Sequence, residues 1–536
     1  MSNNQNNFPA DGLAGLKENF SSDALSGFLV FLLALPLSLG IAKASDFPAI
    51  FGLVTAIIGG IVVSFFAGSR LTIKGPAAGL IVISSGAVAA FGGGEIGWHL
   101  ALGTIVVAGA IQVLFGVLKL GKLADLFPGA AIHGMLAAIG VIIISKQIHT
   151  LLGVPPAELK GKAPLELLAM IPQSILHENA HLTEIGIACL AILIIFSIVK
   201  HERIKKIPAP LIVLFVAIPL GIYLDVKHES AVANFALVKI GNIFDTFNKG
   251  IINADFAGLT SHTYAFIKYV VLFALIGSLE SLLTAKAIDA FDPYKRKSDF
   301  NKDLLAVGLG NMLSGILGGL PMISEVARSS ANVGNGAKTR WANFFHGVFL
   351  LLAVLIAVPL IEMIPNAALA AMLIFVGFKL AHPREFRHMW HIGKEQFLVF
   401  TVTVIVTLAT DLLVGVGTGI LLELIINLIN GINFKNLFKS EVEQVENGED
   451  ITLTVKSGLV FSNILGFKKR LSALPQGKNV TIEVSEARII DHTSMLTLNG
   501  FSADYKEAKG TVKVIGFQHH TQLSKANTST RLLKKA

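Results

Sequence analysis

Cysteine is almost absent: Cys189 stands alone among 536 residues, inside an apolar run. One thiol closes no internal disulfide and builds no multi-cysteine zinc site. Charge is scarce too. Asp, Glu, Lys and Arg make up 15% of the chain, against roughly 25% in a soluble globular protein. No Gly-Lys-Ser/Thr follows a glycine at the P-loop spacing, so nothing marks an ATP-driven pump. No pair of His or carboxylate residues has metal-ligand spacing, and no cofactor is expected. The net charge of +8 is not gathered in one patch, which argues against a nucleic-acid partner. The first 23 residues lack the basic start and apolar core of a cleavable signal.

What is present is apolar. Hydrophobic residues make up 53% of the chain, the composition of a protein that spans a lipid bilayer many times. A window of about 20 residues places segments at 24–43, 50–68, 72–91, 100–120, 128–147, 184–199, 208–224, 266–289, 303–320, 324–336, 341–362, 365–382, 396–413 and 415–433. The basic clusters Lys200/Arg203/Lys205/Lys206, Lys295/Arg296/Lys297 and Arg384/Arg387/Lys394 follow the sixth, eighth and twelfth segments. All fall on one side, which the positive-inside rule makes cytoplasmic. The expectation is a multi-pass protein of the inner (cytoplasmic) membrane with both termini in the cytoplasm.

The expected domains are a cytoplasmic segment 1–23, a transmembrane domain 24–436, a small cytoplasmic α/β domain 437–520 and a polar tail 521–536. In the α/β domain, 479–485 and 510–516 read as strands, and 462–473 and 494–507 as helices. Seven segments plus seven give two halves of opposite orientation. Glycine-spaced second and ninth segments, each followed by an interrupted one, suit an inverted repeat.

The interruptions carry the candidate chemistry. Gly75 and Pro76 break the third segment. The tenth, from Gly319 to Thr339, holds charge and helix breakers at membrane depth, which is tolerated only where it lines a cavity or is buried in protein. A helix starting at Pro76 and another at Pro321 would turn free N–H groups and positive dipole ends toward an anion. Ser324, Arg328 and Ser329 would add donors and a fixed charge. The competing reading is a Pro kink in one case and an Arg328–Glu325 pair in the other. Glu280, inside the eighth segment, reads as a proton-exchanging carboxylate or as the structural partner of Arg328 or Lys286. His133 and Lys146 lie near the ends of the fifth segment and read as interfacial.

Three motifs and the tail resemble the sulfate permease (SulP) family of anion transporters. They are Gly75-Pro-Ala-Ala-Gly79, Ser278-Leu-Glu-Ser-Leu-Leu-Thr-Ala-Lys286 and Ala327-Arg-Ser-Ser-Ala-Asn-Val-Gly-Asn-Gly-Ala-Lys-Thr339, with Ile490-Asp491-His-Thr-Ser-Met-Leu-Thr-Leu498 resembling the turn of a STAS domain. The resemblance implies an all-α polytopic fold with fourteen segments in a 7+7 inverted repeat, core and gate domains, a STAS-like α/β domain and a homodimer. It implies an anion site at Ala77, Ala78, Gly79, Ala327, Arg328 and Ser329, with Glu280 and Ser281 beside it and Pro36 in the first-segment wall. Three departures stand out. An apolar stretch follows Pro36, Ala327 replaces a frequent serine, and Thr493 replaces a serine of the STAS turn.

The expected function is secondary active transport of a small inorganic anion, sulfate or bicarbonate, coupled to H+ or Na+ through Glu280 by an elevator-like movement. An exchanger or channel-like conductor, a dicarboxylate transporter, and a sensor or scaffold are the alternatives.

Overall fold

A computed structural model of the chain describes residues 8–122, 127–159, 161–199, 201, 207–229, 232–241, 252–507 and 510–534. The basic cluster at Lys200, Arg203, Lys205 and Lys206 lies outside the described residues. Each of the fourteen expected segments falls on a helix or on a strand followed by a half-helix. Seven helices among the described residues are long and apolar enough to cross a bilayer by themselves, including Gly12–Ala44, Gly94–Val117, Thr263–Phe291 and Leu412–Ile429. Among the described residues, two helices of ten residues or more were not anticipated, Pro164–Leu176 before the sixth span and Pro383–Ile392 before the thirteenth. The first helix starts at Gly12, twelve residues before the expected span.

The chain divides into two compact units, Met1–Ala124 with Ile139–Lys379, and Asp125–Ala138 with Leu380–Ala536. In the first unit the two halves mirror one another. The fourth span (Gly94–Val117) packs on the eighth (Thr263–Phe291) and ninth (Phe300–Ile316); the eleventh (Trp341–Ile356) packs on the first (Gly12–Ala44) and second (Ile50–Phe66). These are the same contacts with the halves exchanged. Both are backbone contacts through glycine. A Cβ on Gly60 would lie 2.5 Å from Gly347 Cα, and one on Gly308 would lie 2.7 Å from Gly109 O. With no hydrophobic drive between helices in lipid, small residues that let backbones approach set such interfaces.

At its margins this unit behaves as the sequence implied. Lys146 pairs with Asp46 at 2.8 Å and also bonds Ala44 O. Cys189 is fully buried in a cluster with Leu182, Ile185 and Leu193.

The second unit holds the thirteenth span (Lys394–Ala409), the fourteenth (Leu412–Ile429) and the α/β domain. His133 bonds Glu385 at 3.0 Å, a link between the start of the fifth span and the helix Pro383–Ile392. The α/β domain has a four-stranded sheet of β3 (Val442–Asn447), β4 (Asp450–Val455), β5 (Asn479–Glu483) and β7 (Thr511–Ile515) in that order, and a smaller three-stranded one. The β3–β4 hairpin is antiparallel, and β5 and β7 are parallel to β4. The first two strands escaped the sequence reading because β3 is polar almost throughout, with only Val442 buried.

Asp491 ends the short strand β6 (Ile489–Ile490) and caps the next helix through Ser494 N–H at 2.8 Å. Burial pushes its carboxyl up to about 6, against the pull of the amides of Ser494 and Phe461.

The tail at 521–536 is not a separate polar appendage. It supplies β8 (His520–Gln522) and β9 (Arg531–Leu533), and β9 pairs with both β8 and β6. Leu532 packs against Ile432, Leu437, Val460 and Ile489. Sparse apolar residues hid this role: one inward leucine on a short strand leaves no periodic signal.

Candidate functional site

The two interruptions meet. Ile73–Pro76 (β1) and Met322–Glu325 (β2) form an antiparallel pair with Lys74 opposite Ser324 and Gly75 opposite Ile323. This corrects the expectation that helices begin at Pro76 and Pro321. Away from water, extended backbone must find partners, and each half of the repeat supplies them to the other. Only after the strands do half-helices start, at Ala78 in the third span and at Val326 in the tenth.

Several expected anion donors are occupied by protein. Ser324 Oγ donates to Asp303 Oδ2 at 3.1 Å, and Ser281 Oγ donates to Ser324 Oγ while accepting from Ser324 N–H, both at 3.1 Å. Ser329 Oγ donates to Glu325 O and accepts from Ile73 N–H at 2.9 Å. These hydroxyls hold the crossed strands together. Asp303, which the sequence reading missed, is the hub. Its Oδ1 also receives Lys74 Nζ at 2.8 Å and Ser69 N–H at 3.1 Å. In the sequence it reads as an ordinary acidic residue in the first turn of a helix, and no local signal points to Lys74.

Arg328 is different. Its side chain is fully buried, and Nε, Nη1 and Nη2 have no hydrogen-bond partner among the described residues. The expected pairing with Glu325 is not made by the guanidinium; Glu325 Oε2 instead accepts the Arg328 amide at 2.7 Å and caps the half-helix. The guanidinium lies over Gly75, where a Cβ would stand 2.6 Å from Nη1. Across the strands, a Cβ on Gly79 would run into the Glu280 carboxylate. Glu280 Oε1 likewise has no partner among the described residues. Glycine at 75 and 79 is thus what admits the two charged groups. Ala77 and Ala78 are buried, Ala327 is exposed, and Glu280 and Glu325 are half-buried, close enough for their charges to interact. Pro36 is buried in the first span, which is kinked at Asn19 and touches β1 and the half-helix beyond it.

A permanent cation without hydrogen bonds is expensive to bury. Here it sits where two halves of a repeat cross and two half-helices begin, so an anion is the ligand this geometry favours.

Comparison with known proteins agrees. The sulfate permease family model matches residues 20–403, so the chain belongs to that family. It is 26% identical to the putative sulfate transporter YvdB of Bacillus subtilis, over 94% of this chain and 92% of the relative. It is also 26% identical to the bicarbonate transporter BicA of Picosynechococcus, over 82% and 76% respectively. Among solved structures, the transmembrane domain of a cyanobacterial BicA superposes with a TM-score of 0.64 at 23% identity, covering 74% of this chain and 98% of that one. Murine Slc26a9 superposes with a TM-score of 0.66 at 15% identity, covering 92% and 85%. These likenesses establish the fold of a multi-pass anion-transporter family member.

Proposed function

We propose that this chain moves small inorganic oxyanions, sulfate or bicarbonate, across the cytoplasmic membrane by cation-coupled transport, with both termini in the cytoplasm. The buried, unpartnered guanidinium of Arg328 is the observation that carries this reading. The relatives are named for sulfate and bicarbonate, both of which a fixed cation and two half-helix starts would attract. The anion would lie between Ala77–Gly79 and Ala327–Arg328, with Gly75 and Gly79 leaving the space.

Coupling follows from charge. An anion added beside Arg328 and the Glu280 carboxylate is offset when Glu280 takes up a cation. Glu280 Oε1 is buried with no partner among the described residues, so Glu280 is the residue to which we assign H+ or Na+. An elevator-like step requires a rigid carrier. The Lys74–Asp303–Ser324–Ser281 network ties both strands and the eighth and ninth spans into one.

The test is uptake of labelled sulfate, bicarbonate and succinate by proteoliposomes, with and without pH and sodium gradients. Arg328→Ala should abolish uptake of every transported anion while the protein remains folded. Undiminished transport by that variant would refute the site. Glu280→Gln should lose gradient-driven accumulation and retain exchange, and unchanged cation dependence would remove Glu280 from the coupling.

A further inference from the structure

The edge of β2 that faces away from β1 is paired with side chains instead of a strand. Alternate residues of an antiparallel strand turn their N–H and C=O groups to opposite edges. Here Leu320, Met322 and Ser324 all turn theirs away from β1, toward side chains of neighbouring spans. Leu320 N–H donates to Thr55 Oγ1 at 2.8 Å, and Leu320 O accepts from Ser314 Oγ at 2.7 Å. Met322 N–H donates to Asn311 Oδ1 at 2.6 Å, and Met322 O accepts from Asn311 Nδ2 at 3.1 Å. One carboxamide thus takes both backbone groups of Met322. Asn311 lies in the ninth span beside Gly310, where a Cβ would lie 2.7 Å from Met322 Sδ. That glycine lets the helix come near enough for the short carboxamide to reach.

The carboxamide is itself held. Asn311 Nδ2 also donates to Gln112 Oε1 of the fourth span at 2.7 Å, and Gln112 Nε2 donates to Ser278 Oγ of the eighth at 3.3 Å. Both amides are buried. An amide has one acceptor end and one donor end, so this chain favours one orientation, oxygen toward Met322 N–H and nitrogen toward Met322 O. β1 cannot supply the same hold. Met322 faces Pro76, which has no N–H, and Pro321 before it has none either. Two short strands are marginal by themselves, and a slip of one residue turns every side chain to the opposite face. Arg328 follows the end of β2 by three residues, so the register of β2 sets where its guanidinium stands.

We propose that Asn311 is a positioning residue of the anion site: its carboxamide takes both backbone groups of Met322 and locks the register of β2 that presents Arg328 to the anion. This inference rests on the anion site proposed above. Asn311 acts through β2 and Arg328, without touching the anion. It sets the fraction of molecules in the binding-competent register, and apparent anion affinity scales with that fraction. When the carboxamide is lost, anion at higher concentration draws β2 back into register. Weaker apparent binding with an intact maximal rate is therefore its signature. A side chain that only holds the fold together gives the opposite pattern, fewer active molecules with an unchanged KM. Ser281 marks the contrast. Its loss leaves Ser324 bonded to Asp303, whereas Met322 O loses its donor with Asn311.

Initial rates of labelled sulfate and labelled bicarbonate uptake by proteoliposomes, over a range of anion concentration, separate the two patterns. The full chain is compared with its Asn311→Ala, Gln112→Leu and Arg328→Ala variants, each eluting as monodisperse protein. Asn311→Ala should raise KM about tenfold, the effect of leaving roughly one molecule in ten in register, and keep the maximal rate within about twofold. Gln112→Leu leaves Asn311 in place but frees its orientation, so KM should rise about threefold in the same pattern. KM within about twofold of wild type in Asn311→Ala, or a lowered maximal rate at unchanged KM in either variant, overturns the proposal. If Asn311→Ala does not fold, an unchanged KM in Gln112→Leu overturns it. Arg328→Ala separates the two levels. Undiminished uptake there removes the anion site and this proposal with it. Abolished uptake there, with wild-type KM in the Asn311 and Gln112 variants, overturns only the role of Asn311.

Discussion

Lys74 Nζ and Asp303 Oδ1 lie 2.8 Å apart, with side chains 0% and 1% exposed. The lysine comes from β1 in the first half and the aspartate from the ninth span in the second. Two full charges stand at membrane depth and cancel, and the remaining carboxylate oxygen accepts the Ser324 hydroxyl from β2. This pair, rather than any feature of Arg328, holds the crossing at which Arg328 is presented.

Breaking the pair from one side should be severe. Asp303→Ala leaves a buried ammonium with the Thr72 hydroxyl but no counter-ion, a loss of about 3–5 kcal/mol for a buried ion pair. The double variant Lys74→Met/Asp303→Leu should recover part of that loss. Thermal unfolding of the purified variants measures both. A single variant as stable as wild type would show that the pair carries no structural weight.

Glycine 79 faces the Glu280 carboxylate and glycine 75 faces the Arg328 guanidinium. Gly79→Ala and Gly75→Ala should lower transport at least as much as they lower the melting temperature, because the added methyl displaces a charged side chain. Vesicle flux compared with melting curves checks this. Normal flux in both variants would mean that neither charged group needs its observed position.

The serines offer a contrast. Ser281→Ala should cost ~1 kcal/mol of stability, the ordinary value of one hydrogen bond. It should leave anion affinity within about twofold, a shift of ~0.4 kcal/mol, because its hydroxyl bonds Ser324 and not a free site. Anion titration of the variant is the measurement. A tenfold loss of affinity would place Ser281 back among the ligands.

Truncation after Thr521 should destabilise the α/β domain instead of trimming a free tail. It removes β9 from its pairing with β6 and uncovers Ile432, Leu437, Val460 and Ile489. Limited proteolysis and the melting temperature of the truncated protein would report it. A truncated protein as protease-resistant as wild type would contradict this packing.

Much of the architecture was legible in the chain. Apolar runs located all fourteen segments, since that signal is local and set by the solvent a segment must meet. Gly75, Gly79, Glu280 and Arg328 stood out for a related reason: charge and helix breakers are rare in lipid and mark themselves. The short strands β1 and β2 did not, because a two-stranded pairing depends on a partner some 250 residues away and has no local period. For the same reason Asp303 passed unnoticed, and residues 521–536 were read as a polar tail.

Composition and periodicity therefore determined that the protein spans a bilayer, how many times it does so and where its polar breaks fall. Tertiary structure alone decided which polar groups satisfy one another and which are left over. Hydrogen-bond satisfaction is a property of atoms brought together from distant segments. Lys74, Asp303 and three serines find partners at the crossing, while the Arg328 guanidinium and Glu280 Oε1 have none among the described residues.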